Sequence, residues 1–165
     1  MAKVKDAVSK PEYDWWQEHL DKQARRAKDA LISIRIGLIQ LKERYLLGGF
    51  KIQIEYSGAG DSGEMYDTTF HKGQMQGVGI SRIFATRQDF EGKDEIRIKE
   101  IIEGIEEDSY DILTYDWYNN EGGQGTIEFD INELKVYVHG SYNVQAGHDC
   151  SEAGQETFFD LSESI

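Results

Sequence analysis

The sequence predicts an α+β fold: a long N-terminal helix, a hairpin, a second helix and a second hairpin. The hairpins should join in one mostly antiparallel sheet, with the helices on one face. Three observations predict it. A helical apolar repeat runs almost unbroken from residue 13 to residue 45. Two stretches, beginning near Phe50 and Thr126, instead alternate with a period of two. Glycine is abundant, at 17 residues, and proline occurs once, which suits tight turns between strands.

The first helix is expected from about Lys10 to Leu46. Ser9 and Glu12 have capping-box spacing, and Pro11 is tolerated in a first turn. Tyr13, Trp16, Leu20, Ala24, Ala27, Leu31, Ile34, Leu38, Leu41 and Tyr45 form a near-heptad seam, and Gly48-Gly49 should stop it. Such a helix spans about 55 Å at 1.5 Å per residue. A domain of this size has a radius of gyration near ~15 Å. The excess predicts a homodimer through the Tyr13–Tyr45 helix; the alternative is a break near Gly37, or two shorter helices on one core.

Phe50, Ile52, Ile54 and Tyr56 alternate with polar residues, and Glu64 to Phe70 returns after a glycine-rich turn, giving the first hairpin. Residues 71–79 are weakly patterned. A second helix should run from about Asp94 to Tyr118 on Ile98, Ile101, Ile102, Ile105, Ile112 and Tyr115. After Gly122-Gly123-Gln124-Gly125, the segments Thr126–Asn132 and Leu134–Gly140 alternate cleanly and form the second hairpin. A single domain over 1–165 follows, with a frayed N-terminus (1–9) and an acidic tail (141–165). That tail is either flexible or docked through Phe158, Phe159 and Leu161.

The net charge is −13. It is unevenly spread: residues 1–51 carry 11 basic and 7 acidic side chains, and the remainder carries 7 basic and 24 acidic. Between Glu100 and Glu133 there are 11 acidic residues and no basic one. Such a surface repels phosphates and disfavours direct nucleic-acid binding, while suiting a protein partner with a basic surface. The small basic cluster Arg25, Arg26 and Lys28 could grip carboxylates of this chain or of a second subunit. Cys150 is the only cysteine, which fits a reducing cytoplasmic setting. No secretory leader is expected, since no apolar run follows the first lysines, and no stretch suits a membrane span.

Two glycine-rich segments hold the candidate chemistry. In Tyr56-Ser57-Gly58-Ala59-Gly60-Asp61-Ser62-Gly63 the glycines would allow an anion-binding nest, although the lysine of a phosphate-binding loop is missing. The bland reading is a turn held by Asp61 and Ser62. In Asp116-Trp117-Tyr118-Asn119-Asn120-Glu121 the carboxylates sit at the expected helix exit, where the backbone dipole disfavours them. Oxygens of Asp116, Asn119 and Glu121, with Asp61 alongside, could hold calcium or magnesium. Asn119 and Asn120 could equally be helix C-caps. No cofactor beyond such a divalent cation is expected. His139, His148 and Cys150 lie near one another in sequence, but nothing orients a His–Cys pair.

These two segments resemble paired motifs of a family of small, acidic, uncharacterised proteins from bacteria, plasmids and phages, over about residues 50–140. The resemblance implies no catalytic residue. A mobile-element setting would suggest a host-directed inhibitor. The reading is therefore an acidic protein-binding module, with Trp117, Tyr118, Asn119, Asn120, Glu121, Asp116, Tyr56, Asp61 and Ser62 as its binding residues. The alternative is a small metal-assisted enzyme using Asp61, Asp116 and Glu121.

Overall fold

Helix α1 (Ala2–Glu43) is one continuous helix in the computed structural model, which describes residues 2–74, 76–143 and 152–163. It begins well before Lys10, so the segment expected to fray is helical; its alanine, lysine and valine residues tolerate helix. Nor does it break at Gly37, which lies against Ile101 and Ile105 instead. The helix ends before Gly48. Leu46 takes the left-handed backbone (φ 56°), and the Leu47 amide donates to the Leu41 carbonyl at 2.9 Å.

Five strands follow: β1 (Lys51–Ala59), β2 (Ser62–His71), β3 (Gly123–Asp130), β4 (Lys135–Tyr142) and β5 (Glu152–Asp160). All neighbouring pairs are antiparallel, in the spatial order β2-β1-β3-β4-β5. Between the hairpins lie α2 (Ile80–Thr86) and α3 (Gly92–Ile112). A capping box between Glu91 and Asp94 starts α3. The α3 helix stops at Ile112, six residues short of the predicted end.

The fold is α+β, with helices covering one face of the sheet. Alternation decides which face: Ile52, Ile54, Tyr56, Ile127, Phe129, Val136 and Val138 point inward and are fully buried. Ile34, Leu38 and Leu41 of α1 and Ile98, Ile102 and Ile105 of α3 meet them in one core. No described helix covers the opposite face. The tail docks over its described C-terminal part, residues 152–163, where it supplies β5. Phe159 and Leu161 pack on the core, whereas Phe158 faces outward and is half exposed. Arg35 fixes the strand's end by donating to the Leu161 carbonyl at 2.8 Å.

Of the described α1 side chains, those that join this core lie in its C-terminal part. Ala30, Ile34, Leu38 and Leu41 are buried, while Trp15, Trp16 and Leu20 are exposed.

Candidate functional site

The fold brings the two glycine-rich segments into direct contact. The tip of the β1–β2 hairpin lies against the loop from Leu113 to Gly122. Gly60 donates its amide to the Asn120 carbonyl at 3.0 Å, and Asp61 donates to the Tyr118 carbonyl at 2.8 Å. The amides a nest would offer to an anion are thus occupied by the partner segment. Gly123 closes the loop by donating to the Trp117 carbonyl at 2.7 Å.

Two glycines make this approach feasible. Gly122 has a left-handed backbone (φ 71°), and a Cβ there would collide with the Gly58 carbonyl. A Cβ at Gly63 would enter the Trp117 ring. That ring therefore fills the slot left by missing side chains. It is 3% exposed, so Trp117 is a core residue and cannot serve as the surface anchor expected of it. It packs edge-on against Tyr56, with centroids 5.2 Å apart.

Tyr56 is equally internal. Its hydroxyl lies 3.2 Å from the His139 carbonyl, to which it can donate, and shares a 2.8 Å hydrogen bond with the Tyr115 hydroxyl in which either group can be the donor. Burial, followed by the Tyr115 contact, pushes the Tyr56 phenol well above its ordinary value. It stays neutral and hydrogen-bonding, and it is sealed from any ligand.

The remaining predicted residues stay at the surface. Asp61, Ser62, Asp116, Tyr118, Asn120 and Glu121 are exposed, and Asn119 is half-buried. Asn119 donates to Asp116 at 2.8 Å, which makes the pair a turn clasp. The asparagines do not cap α3, because the helix ends seven residues earlier; Asn120 instead takes a left-handed turn position (φ 56°). Asp116 is likewise outside the helix dipole. Among the described residues no group of three or more histidine, cysteine, aspartate or glutamate side chains is arranged to hold a metal ion. Asp61, Asp116 and Glu121 are not gathered into such a group. His148 and Cys150 lie outside the described residues.

The charge that matters lies on α3. Its last turn has no basic residue. Burial raises the Asp108 carboxyl above the ordinary aspartate value; a hydrogen bond from Ser33 opposes this, and Asp111 and Glu107 add to it. Glu103, Glu107 and Asp111 are exposed on the helix, and Asp116 and Glu121 continue the surface along the loop. Among the described residues none of these five forms an ion pair. Tyr110 and Tyr118, 42% and 44% exposed, stand among them. Both rings rest near buried Trp117, at 6.0 and 5.8 Å. A cleft of about 440 Å³ separates this region from His19, Gln23 and Arg26 of α1.

Tyr110 was missed from sequence because it reads as one polar-face residue of a helix. Gln155 was missed as well. Its side chain accepts from the Thr114 amide at 2.8 Å and donates to the Ile112 carbonyl at 3.1 Å, so it secures the end of α3 and the start of the loop.

Comparison with known proteins adds a family without a function. A stretch of 47 residues, 28% of this chain, is 45% identical to cold shock-like protein CspB of Bacillus cereus, of which it covers 71%. No solved structure matches. No helix among the described residues is long and apolar enough to cross a membrane. Residues 45–151, which contain both glycine-rich segments and the α3 surface, match a family of unknown function (DUF6878), and the chain belongs to that family.

Proposed function

We propose that the protein is an acidic binding module whose α3 ridge and following loop dock on a protein with a basic surface. The observation that carries this is the combination on one surface of carboxylates that form no ion pair among the described residues and two exposed tyrosines. Glu103, Glu107, Asp111, Asp116 and Glu121 would steer encounter. Tyr110 and Tyr118 would be the desolvated anchors, the role aromatics take at interface centres. Trp117 supports them from beneath. A cytoplasmic setting and a host-directed inhibitory role belong to the same proposal; the single cysteine and the motif resemblance are what favour them.

The test is affinity capture from a lysate of the native host, comparing wild type with Tyr118→Ala and with a Glu103→Gln, Glu107→Gln, Asp111→Asn triple variant. A partner retained by wild type and lost by both variants is expected. Retention by none of the proteins, or equally by all, would overturn the reading.

A second reading rests on the open sheet face. Tyr137 lies parallel to His139, with rings 6.3 Å apart and 4° between planes, and it contacts Phe158 at 4.8 Å. Exposed sheet-face aromatics stack unpaired bases in single-strand binding modules, cold-shock domains among them. Opposing this, Glu156 sits 2.7 Å from His139, Glu128 lies on the same face, and the net charge is −13. Fluorescence titration with single-stranded oligonucleotides at low salt decides it. Quenching lost on Tyr137→Ala would favour this reading over the first, and no quenching would remove it.

A further inference from the structure

We propose that the cleft between α1 and the loop after α3 binds a small zwitterion with an aromatic body, of the class of the aromatic α-amino acids. The face of α1 that enters the core through Ala30 and Ile34 changes character toward the N-terminus. Counted back by helical spacing from these two, the same face presents Arg26, Gln23 and His19, all polar. Pressing such groups against an apolar core without partners is costly, so this part of α1 does not close on the body. A cleft of about 440 Å³ remains, which is within the usual range of small-ligand sites.

The wall facing α1 is aromatic and held in place. Leu113 and Trp117 are buried and give the cleft an apolar floor. Tyr110 and Tyr118 line it with partly exposed rings. The Tyr110 hydroxyl accepts from the Met65 amide at 3.2 Å, and the Tyr118 carbonyl accepts from the Asp61 amide at 2.8 Å, so both residues are anchored. A planar apolar ligand finds rings there to pack against. Charge narrows the class. Asp111 lies on this wall and Arg26 on the α1 wall, and among the described residues neither forms an ion pair. A purely anionic ligand would be repelled by Asp111, and a purely cationic one by Arg26. A ligand carrying both charges answers both: its carboxylate pairs with the Arg26 guanidinium, and its ammonium with the Asp111 carboxylate. Gln23 beside Arg26 can donate a further hydrogen bond to that carboxylate. The site shares Asp111, Tyr110 and Tyr118 with the docking surface proposed above but does not rest on that reading, since a basic protein has no use for Arg26.

Calorimetric titration of the full chain tests this with L-phenylalanine, L-tryptophan, L-phenylalaninamide, which lacks the carboxylate, and phenylpropionate, which lacks the ammonium. Wild type is compared with Arg26→Gln and Asp111→Asn. Both changes are at exposed positions, and circular dichroism checks that each variant folds. Wild type should bind at least one of the two amino acids, and L-phenylalanine at least tenfold more tightly than either analogue if it is the one bound; for L-tryptophan the comparison is with tryptophanamide and indolepropionate. Arg26→Gln should erase the advantage over the amide, and Asp111→Asn the advantage over the propionate. No heat with either amino acid at millimolar concentration overturns the proposal. So do equal affinities for an amino acid and its two analogues, or variants that keep the wild-type preference. Capture of a basic protein partner bears on none of these outcomes.

Discussion

Trp117 joins the two glycine segments, and its surroundings explain why each glycine next to it must lack a side chain. Gly63→Ala should therefore strain the loop, costing about 1–3 kcal/mol as an overpacked site does. Trp117→Ala should cost about 3–5 kcal/mol by emptying the slot. Urea denaturation of both variants measures this; stability near wild type in either would contradict the packing described. Trp117 beside Tyr118 and carboxylates reads in sequence as an interface anchor. The sign that it is internal is also in the sequence, in the glycines at 58 and 63, where a Cβ would meet the Trp117 ring. What the sequence does not show is that the two segments meet, because about 60 residues separate them.

At the scale of elements, the α3 end is electrostatically unfavourable to its own fold. The Asp108 carboxyl is raised, so the folded chain holds that proton more tightly than the unfolded chain does. This aspartate therefore lowers stability once pH exceeds its folded value, and the penalty fades as pH falls toward the ordinary value near ~4. Asp108→Asn should raise stability modestly at pH 7, because it removes a partly buried charge. The gain should vanish in thermal melts below about pH 4. An equal gain at both pH values would show that charge is not its cause.

At the scale of the whole molecule, the core was legible where alternation or helical repeat was strong. Both hairpins stand within a few residues of the positions their patterns indicate, whereas α1 starts eight residues before and α3 ends six residues before the expected boundary. The strand β5 was hidden because its inward positions are Gln155, Thr157 and Phe159, which give no apolar alternation. The α2 helix has seven residues, too few to show a period. The start of β3 was hidden by Gly123 and Gly125, residues that sequence patterns penalise in strands but that pair regularly here with Gly58 and Tyr56. The candidate surface was legible as charge and not as geometry: the run of 11 carboxylates locates the region, while the folded chain decides that Tyr110 and Tyr118, and not Trp117, are presented.

The central claim is that this surface binds a basic partner through steering carboxylates around tyrosine anchors. The direct measurement is the kinetics of binding to the captured partner by surface plasmon resonance, from low to high salt, for wild type and Tyr118→Ala. The association rate of wild type should fall steeply with salt, while Tyr118→Ala should mainly speed dissociation, weakening affinity at least tenfold, by about 2 kcal/mol. An association rate indifferent to salt, together with an affinity unchanged by Tyr118→Ala, would contradict it.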